Sequence, residues 1–199
     1  MLIRRLMFIC FISGTLNPFA INAAEQKPLE KTDIGAAKQV TKLLQQQLPE
    51  VLDTLAFNKV GSAKFSVLFW DIYNSHLFTK SGRYEENTNQ DVIFKIEYLK
   101  DISADELIKR TVEQWQHLNY KKSDYEAFIP RLKSIWPNIS AGDSLTLYRN
   151  SQTTEFYFNN TNIGVIDNEQ FYQLFLAIWL SPDTSEPELR QSLIGAASK

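Results

Sequence analysis

The stretch Val67–Phe78 concentrates side chains that could do chemistry. Asp71 and Tyr73 lie inside an apolar run, and an Asn-Ser-His triplet follows at positions 74–76. Carboxyl, phenol and imidazole groups can all exchange protons, and each can also hold a ligand by hydrogen bonds. A polar group that is buried needs a partner, from the protein or from a ligand. This stretch is therefore the first candidate for a functional site.

The element that must position these residues is predicted to be a strand that is buried on both faces. The apolar side chains on one face alternate with those on the other, so neither face has the polar pattern of a solvated strand. The first set is Phe65, Val67 and Phe69, and the second is Leu68, Trp70 and Ile72.

Other catalytic constellations are not found in the sequence. His76 and His117 are far apart and have no metal-binding spacing, so we expect no metal site. No Gly-x-Ser-x-Gly motif and no phosphate-binding glycine cluster occurs, and we expect no cofactor and no catalytic residue. The aromatic and polar side chains around Tyr73 instead suit an amphipathic small molecule or an acyl chain. In the alternative interpretation Trp70 and Tyr73 are core residues and Asp71 caps a backbone group.

Residues 1–23 resemble a signal peptide. Arg4 and Arg5 precede the apolar run Leu6–Ile12, and small residues at 23 and 24 suit cleavage. The run is too short to cross a bilayer, which argues against the alternative of a membrane anchor. We therefore expect export to the periplasm and no integral membrane segment after the signal is removed. Cys10, the one cysteine in the chain, belongs to this leader, so the mature protein has no disulfide.

The remaining chain is long enough for one folded domain. Its 44% hydrophobic composition favours a packed core. The formal net charge is −2 and no basic run occurs, so we expect no binding to nucleic acid. Residues 24–56 are predicted to be a polar segment followed by an amphipathic helix within Ile34–Leu55. This helix either packs on the domain or binds a partner.

Residues 57–199 are predicted to form an α+β domain. Strands come first, two helices follow, and a strand meander and further helices complete the order, which indicates a mainly antiparallel sheet. Asn159-Asn160 is typical of a hairpin turn. Capping boxes are predicted to open three of the helices. They pair Ser103 with Glu106, Ser123 with Glu126, and Ser185 with Glu188.

Four segments resemble the bacterial, exported chalcone isomerase-like proteins. The most specific is the last, and the resemblance covers roughly positions 60 to 195. The segments are Val67–Tyr73, Gly142–Thr146, Phe156–Asn159 with Ile163-Gly164, and Ile178–Arg190 with Gly195. This resemblance implies an open-faced sandwich, in which a large antiparallel sheet carries helices on one face.

The resemblance also implies that Tyr73 faces a ligand, as in relatives that bind fatty acids. In those relatives an arginine on the preceding strand holds a carboxylate, whereas this sequence has Lys64, a point charge without the arginine fork. The isomerase's polar residues have no counterpart near Arg110–Trp115, so the resemblance does not imply isomerase activity. The predicted ligand-binding residues are Tyr73, Lys64, Trp70 and Asp71.

Three hypotheses about function follow. The first is a non-catalytic periplasmic protein that binds a fatty-acid-like or other amphipathic ligand. The second is an isomerase or lyase for a phenolic or lipid substrate, with Tyr73, Asp71 or His76 as acid–base groups. The third is a structural or partner-binding envelope protein that uses the segment Ile34–Leu55.

Overall fold

The fold is built on a single antiparallel sheet whose six strands lie side by side in sequence order. The structure is a computed structural model that describes residues 57–86, 88–150 and 153–196. The strands are β1 (Asn58–Val67), β2 (Trp70–Thr79), β3 (Val92–Tyr98), β4 (Ser144–Arg149), β5 (Thr154–Phe158) and β6 (Thr161–Ile166). Every neighbouring pair is antiparallel, so hairpins and one helical excursion suffice to connect the strands.

Helices cover one face of this sheet. They are α1 (Ala104–His117), α2 (Lys122–Tyr125), a 3₁₀ turn (Glu126–Phe128), α3 (Ile129–Ile135), α4 (Glu169–Leu180) and α5 (Pro187–Leu193). The main core lies between them and the sheet, where Phe94, Leu147, Phe156 and Phe171 are at most 1% exposed. The α+β prediction with an open-faced sandwich is confirmed.

The sequence of β3 shows why this face is buried. Val92, Phe94, Ile96 and Tyr98 alternate along the strand, as predicted, and all belong to the main core. A strand places every second side chain on one face, so this alternation aims the four side chains at the helices. The opposite face carries a smaller cluster in which Ile93, Tyr148 and Tyr157 are buried.

The β1–β2 hairpin differs from the expectation of a strand buried on both faces. Leu68 and Phe69 form its turn, where they are 83% and 97% exposed, and Trp70 is 60% exposed. Leu68 has a φ of 55°, in the left-handed region that a bulky residue seldom adopts. The sequence predicts one or two strands over residues 57–78, and periodicity does not show where the chain reverses. The prediction that both faces are buried is therefore wrong at positions 68–70.

The predicted N-cap residue is the observed one in only one of the three predicted capping boxes. Ser103 Oγ accepts the backbone N–H of Glu106 at 3.2 Å, which confirms the first. The predicted start at Ser123 is wrong, since the helix cap is Lys121, whose backbone N–H donates to Asp124 Oδ2 at 2.8 Å. The Ser185 prediction is also wrong, because Glu186 precedes α5 without a side-chain cap. A Ser and a Glu three positions apart occur by chance when several Ser and Glu residues lie close together.

Two places in the backbone require particular residue types: the turn between β5 and β6, and the contact between β1 and α5. Asn159 and Asn160 have positive φ values of 46° and 69°, which confirms the hairpin turn between β5 and β6. Gly61 in β1 lies against α5, where an added Cβ would come within 2.2 Å of the Ser192 carbonyl oxygen. The absence of a side chain at Gly61 therefore lets α5 pack directly on the first strand.

The predicted signal peptide, residues 1–23, and the segment 24–56 lie outside the described residues. Both assignments therefore stay predictions. Within residues 57–86, 88–150 and 153–196, the helices are too short or too polar for any of them to span a bilayer.

Candidate functional site

A cavity of about 640 Å³ lies between the sheet and its helices. The strand residues on its wall come from the first four strands and are mostly apolar: Phe65, Val67, Ile72, Tyr73, Ile96, Tyr98 and Leu145. The helices contribute Leu107 from α1 and Phe175, Ile178 and Trp179 from α4. This volume falls within the range of small-molecule sites, and an apolar wall suits the hydrocarbon part of a ligand.

The polar part of the wall is concentrated around the beginning of α1. Asp101 and Ser103 are exposed, and the Lys109 side chain is 61% exposed, so this side of the cavity opens to solvent. Gln114 and Ser185 also lie on the wall, where Ser185 Oγ donates to Gln114 Oε1 at 2.9 Å. The cavity is thus amphipathic, with an apolar interior and a polar opening.

The arginine of this wall is held by two carboxylates. Arg110 Nη2 lies 2.5 Å from Glu106 Oε1, and Arg110 Nη1 lies 2.8 Å from Glu113 Oε2. Burial works against the charged form of Arg110, but the two carboxylates outweigh it and raise the pKa of the guanidinium. Arg110 is therefore charged, and much of its hydrogen-bonding capacity is used within α1.

Tyr73 is the predicted site residue that the structure places in the cavity wall. Its ring stacks on Phe65 at a centroid distance of 5.1 Å, and its hydroxyl accepts the indole N–H of Trp179 at 3.0 Å. Burial raises the pKa of Tyr73, although the bond from Trp179 lowers it in part. The hydroxyl is therefore neutral at ordinary pH, and its own hydrogen can be donated to an oxygen of a bound molecule.

Lys64 and Asp71 lie outside the cavity lining and pair with each other. Lys64 Nζ donates to Asp71 Oδ2 at 2.8 Å, and Ser66 Oγ donates to Asp71 Oδ1 at 2.7 Å. The Lys64 hydrogen bond, followed by that of Ser66, lowers the pKa of Asp71. Both side chains are about half exposed. The structure thus brings Lys64 to Asp71, and it brings neither to Tyr73.

Trp70 also lies outside the cavity lining. Lys100 Nζ sits 4.2 Å from the centroid of its ring, a cation–π contact at the exposed hairpin turn. Of the four predicted ligand-binding residues, only Tyr73 therefore reaches the cavity wall. Ligand binding by the four residues stays a prediction.

A bulge in β2 explains this separation. The pairing of β1 with β2 changes register between Phe65 and Ser66, so that Phe65 faces Tyr73 while Ser66 faces Asp71. Ile72 is the extra residue, and it lines the cavity together with Tyr73. Because a bulge interrupts the alternation of faces, Asp71 is turned away from Tyr73 although they are two positions apart. Without the bulge, strict alternation would place Asp71 and Tyr73 on the same face of the strand.

His76 is also outside the cavity lining. Its Nε2 lies 3.5 Å from Glu97 Oε2 on the neighbouring strand β3. Burial lowers the pKa of His76, while Glu97 opposes the shift. Of the three acid–base candidates named from the sequence, Asp71 and His76 thus cannot act beside Tyr73 in this cavity.

The sequence interpretation missed several wall residues that come from helices. Glu106, Arg110, Trp136 and Trp179 were not selected, because each lies far from Val67–Phe78 in the chain. Leu107 was recognised as part of an amphipathic helix, but periodicity does not distinguish a wall residue from a core residue. Trp179 did carry a signal, since it belongs to the Ile178–Arg190 motif.

Three of the recognised segments contain residues with structural roles outside the cavity wall. Asp143 Oδ2 accepts the backbone N–H of Ser140 at 2.8 Å, and Asp143 Oδ1 accepts Asn159 Nδ2 at 2.7 Å, which joins the Gly-Asp and Phe-Asn segments. In the last motif, Arg190 Nε donates to the Leu180 carbonyl at 2.7 Å, and Thr184 Oγ1 donates to the Ile178 carbonyl at 2.6 Å. These bonds hold the end of α4, and with it the cavity residues Ile178 and Trp179.

The described residues offer no cluster of three or more His, Cys, Asp or Glu side chains suited to a metal ion.

The sheet and its covering helices agree with the comparisons with known proteins. Residues 38–195 match the family described as chalcone isomerase-like, and the chain belongs to this family. An uncharacterised protein of Haemophilus influenzae is 23% identical over 136 residues, which is 68% of this chain and 67% of that protein. The fold is also similar to the crystal structure of a fatty-acid binding protein of Arabidopsis thaliana. The TM-score is 0.56 with 9% identity, over 71% of this chain and 88% of the plant protein.

Proposed function

We propose that this protein is a periplasmic, non-catalytic binding protein for a fatty-acid-like or other amphipathic small molecule. The observation that carries the proposal is the cavity of about 640 Å³, which is apolar inside and polar at its opening. Such a cavity can remove a hydrocarbon chain from water while a polar group stays near solvent. The fold is shared with a plant fatty-acid binding protein, which supports the same ligand class.

The export part of the proposal rests on residues 1–23 alone. Their basic start, short apolar run and small residues before the cleavage point are typical of a signal peptide. The isomerase alternative has less support, since Asp71 and His76 lie away from Tyr73 and burial favours the neutral form of the Tyr73 hydroxyl. A general base in this role would need a pKa near the working pH.

The test is a binding titration with a fluorescent fatty acid, combined with native mass spectrometry of the purified protein. We expect saturable binding to the unchanged protein and displacement by an unlabelled amphiphile. In the variant Leu107→Trp, a larger side chain enters the cavity from α1, and affinity should fall at least tenfold. Leu118→Trp places the same side chain near the end of α1 at a position that does not line the cavity, and binding should persist.

Two results would contradict the proposal. One is an unchanged protein that takes up neither the probe nor any cellular lipid. The other is equal loss of binding in both variants although circular dichroism shows that both are folded, since the probe would then bind elsewhere.

A further inference from the structure

The end of the sheet at the β1–β2 turn exposes a cluster of large apolar side chains. Five large hydrophobic side chains are exposed within the described residues, and four of them form this apolar tip: Leu68 at 83%, Phe69 at 97%, Trp70 at 60% and Leu99 at 37%. Leu99 is joined to the hairpin, because its backbone N–H donates to the Ile72 carbonyl at 2.8 Å. Folded domains seldom expose several large apolar side chains together, so the cluster indicates an interaction site.

The turn itself is not made of residues that favour turns. Val67 pairs with Trp70, so Leu68 and Phe69 are the two turn residues. Leu68 has a positive φ of 55°, at the position where such a two-residue turn normally has glycine. A glycine there would form the turn with less strain and would expose no apolar side chain. The large side chains at 68–70 therefore indicate a role beyond the reversal of the chain.

The apolar tip lies beside the polar opening of the cavity. Val67 precedes the turn and Ile72 follows it, and both line the cavity. Lys100 Nζ lies 4.2 Å from the centroid of the Trp70 ring, and the next residue along the chain, Asp101, belongs to the polar opening. A surface that docks at the apolar tip is thus adjacent to the entrance of the proposed binding site.

The chemistry of the apolar tip fits the surface of a lipid bilayer. Leucine and phenylalanine side chains enter the acyl region, tryptophan prefers the level of the headgroups, and a lysine beside it reaches the phosphates. Lys100 has this position at the Trp70 ring. The carboxylate of the hairpin, that of Asp71, accepts hydrogen bonds from Lys64 Nζ and Ser66 Oγ, so its negative charge is already paired.

We propose that the apolar tip inserts into the surface of a lipid bilayer and places the cavity opening at that surface. The docking step goes beyond the proposed function, whereas the transfer of an amphiphile from the bilayer to the cavity rests on it. A ligand that enters there does not have to carry its hydrocarbon chain through water. Four apolar side chains are few, so we expect docking to be reversible.

The test measures flotation of the purified protein with vesicles of phosphatidylcholine and phosphatidylglycerol in equal parts. We expect the unchanged protein to float with the vesicles. In Phe69→Ser, which removes the most exposed apolar side chain, the partition coefficient should fall about tenfold, the effect of burying one phenylalanine side chain. Val165→Ser is the matched control and should leave binding unchanged. Val165 is the fifth exposed hydrophobic residue, on β6 at the opposite edge of the sheet.

The fluorescence of Trp70 provides a second measurement with the same vesicles. Its emission should shift to shorter wavelength when the ring leaves water. Trp115 and Trp136 are at most 5% exposed and are already shielded from water, so they should contribute little to the change. Trp70→Phe should remove most of the shift and still bind the vesicles, because phenylalanine also enters the apolar phase.

The transfer step is tested with vesicles that contain the fluorescent fatty acid. Phe69→Ser should take up the probe from these vesicles about tenfold more slowly than the unchanged protein, while its affinity for the probe in solution stays the same. If the unchanged protein floats with the vesicles but binds no probe in either assay, the proposed binding function fails and the docking step stands.

Three results would overturn the inference. The first is an unchanged protein that does not float with the vesicles. The second is equal flotation of the unchanged protein and Phe69→Ser, since the vesicles would then be bound by another surface. The third is a Phe69→Ser variant that dissociates from a dimer in sedimentation or unfolds at a lower urea concentration. The apolar tip would then be covered by a second copy or by another part of this chain, and not by lipid.

Discussion

The two faces of β2 differ sharply in what surrounds their side chains. On the helix face, Leu77 is fully buried and Tyr73 joins the cavity wall, bonded to Trp179. On the other face, Asp71 pairs with Lys64 near solvent, and His76 lies beside Glu97. One strand therefore carries a cavity-facing surface and a charged outer surface, separated by the thickness of the sheet.

This difference shows that neighbouring polar residues need not belong to one site. The bulge at Ile72 places two successive residues on the cavity side and turns Asp71 to the outer side. The outer charges can rearrange in water at little cost, whereas a change on the inner face disturbs packed atoms. Substitutions on the two faces should therefore differ in size and in kind.

The largest expected effect is that of Leu77→Ala on the inner face. Leu77 is 0% exposed and belongs to the main core. Its truncation should lower the free energy of unfolding by about 3 kcal/mol, because it removes buried methyl groups and leaves a cavity. Urea denaturation followed by circular dichroism measures this loss. His76→Ala, one position away on the outer face, is the control and should cost less than about 1 kcal/mol.

Comparable losses for Leu77→Ala and His76→Ala would contradict the assignment of the two faces. Both side chains would then have to be buried, which would require a different position of the bulge or a different strand register in β2.

The sequence allowed the alternation of β3, the turn at Asn159-Asn160 and the class of fold to be predicted. Each depends on local side-chain type or spacing, which a sequence shows directly. The site was harder, because its wall joins β2 to α1 and α4 through contacts between residues far apart in the chain, such as Tyr73 with Trp179. The bulge at Ile72 was also hidden, since it arises from pairing with β1 and not from the composition of β2. Among the residues proposed from the sequence, Tyr73 was the one placed at the cavity wall.

An intermediate effect is expected for Tyr73→Phe, which keeps the ring and removes the hydroxyl. The Trp179 indole N–H then loses its acceptor, and the free energy of unfolding should fall by about 1 kcal/mol. Trp179→Phe removes the donor of the same bond. A double-mutant cycle with both changes, measured by urea denaturation, should give a coupling energy of about 1 kcal/mol. Additive effects of the two substitutions would mean that the bond does not contribute to stability.

The smallest effect on stability is expected for the outer pair of Lys64 and Asp71. Substitution of Lys64 should instead change the pKa of Asp71. The Lys64 and Ser66 hydrogen bonds hold the pKa of Asp71 below its ordinary value of 3.8. In Lys64→Met, that pKa should rise toward 3.8, as followed by NMR titration of the Asp71 carboxyl carbon. A folded-state pKa below the unfolded one stabilises the protein above about pH 4, and this contribution is lost as the pH falls through the folded pKa.

Near neutral pH, denaturation of Lys64→Met should therefore differ little from that of the unchanged protein, because the pair is exposed and screened by solvent. Ligand affinity should not change either, since neither Lys64 nor Asp71 lines the cavity. A large loss of affinity for dodecanoic acid in Lys64→Met, with 1-dodecanol unaffected, would contradict this separation. Lys64 would then hold the carboxylate as the family resemblance implied, and the hairpin would have to move to bring its ammonium group to the cavity.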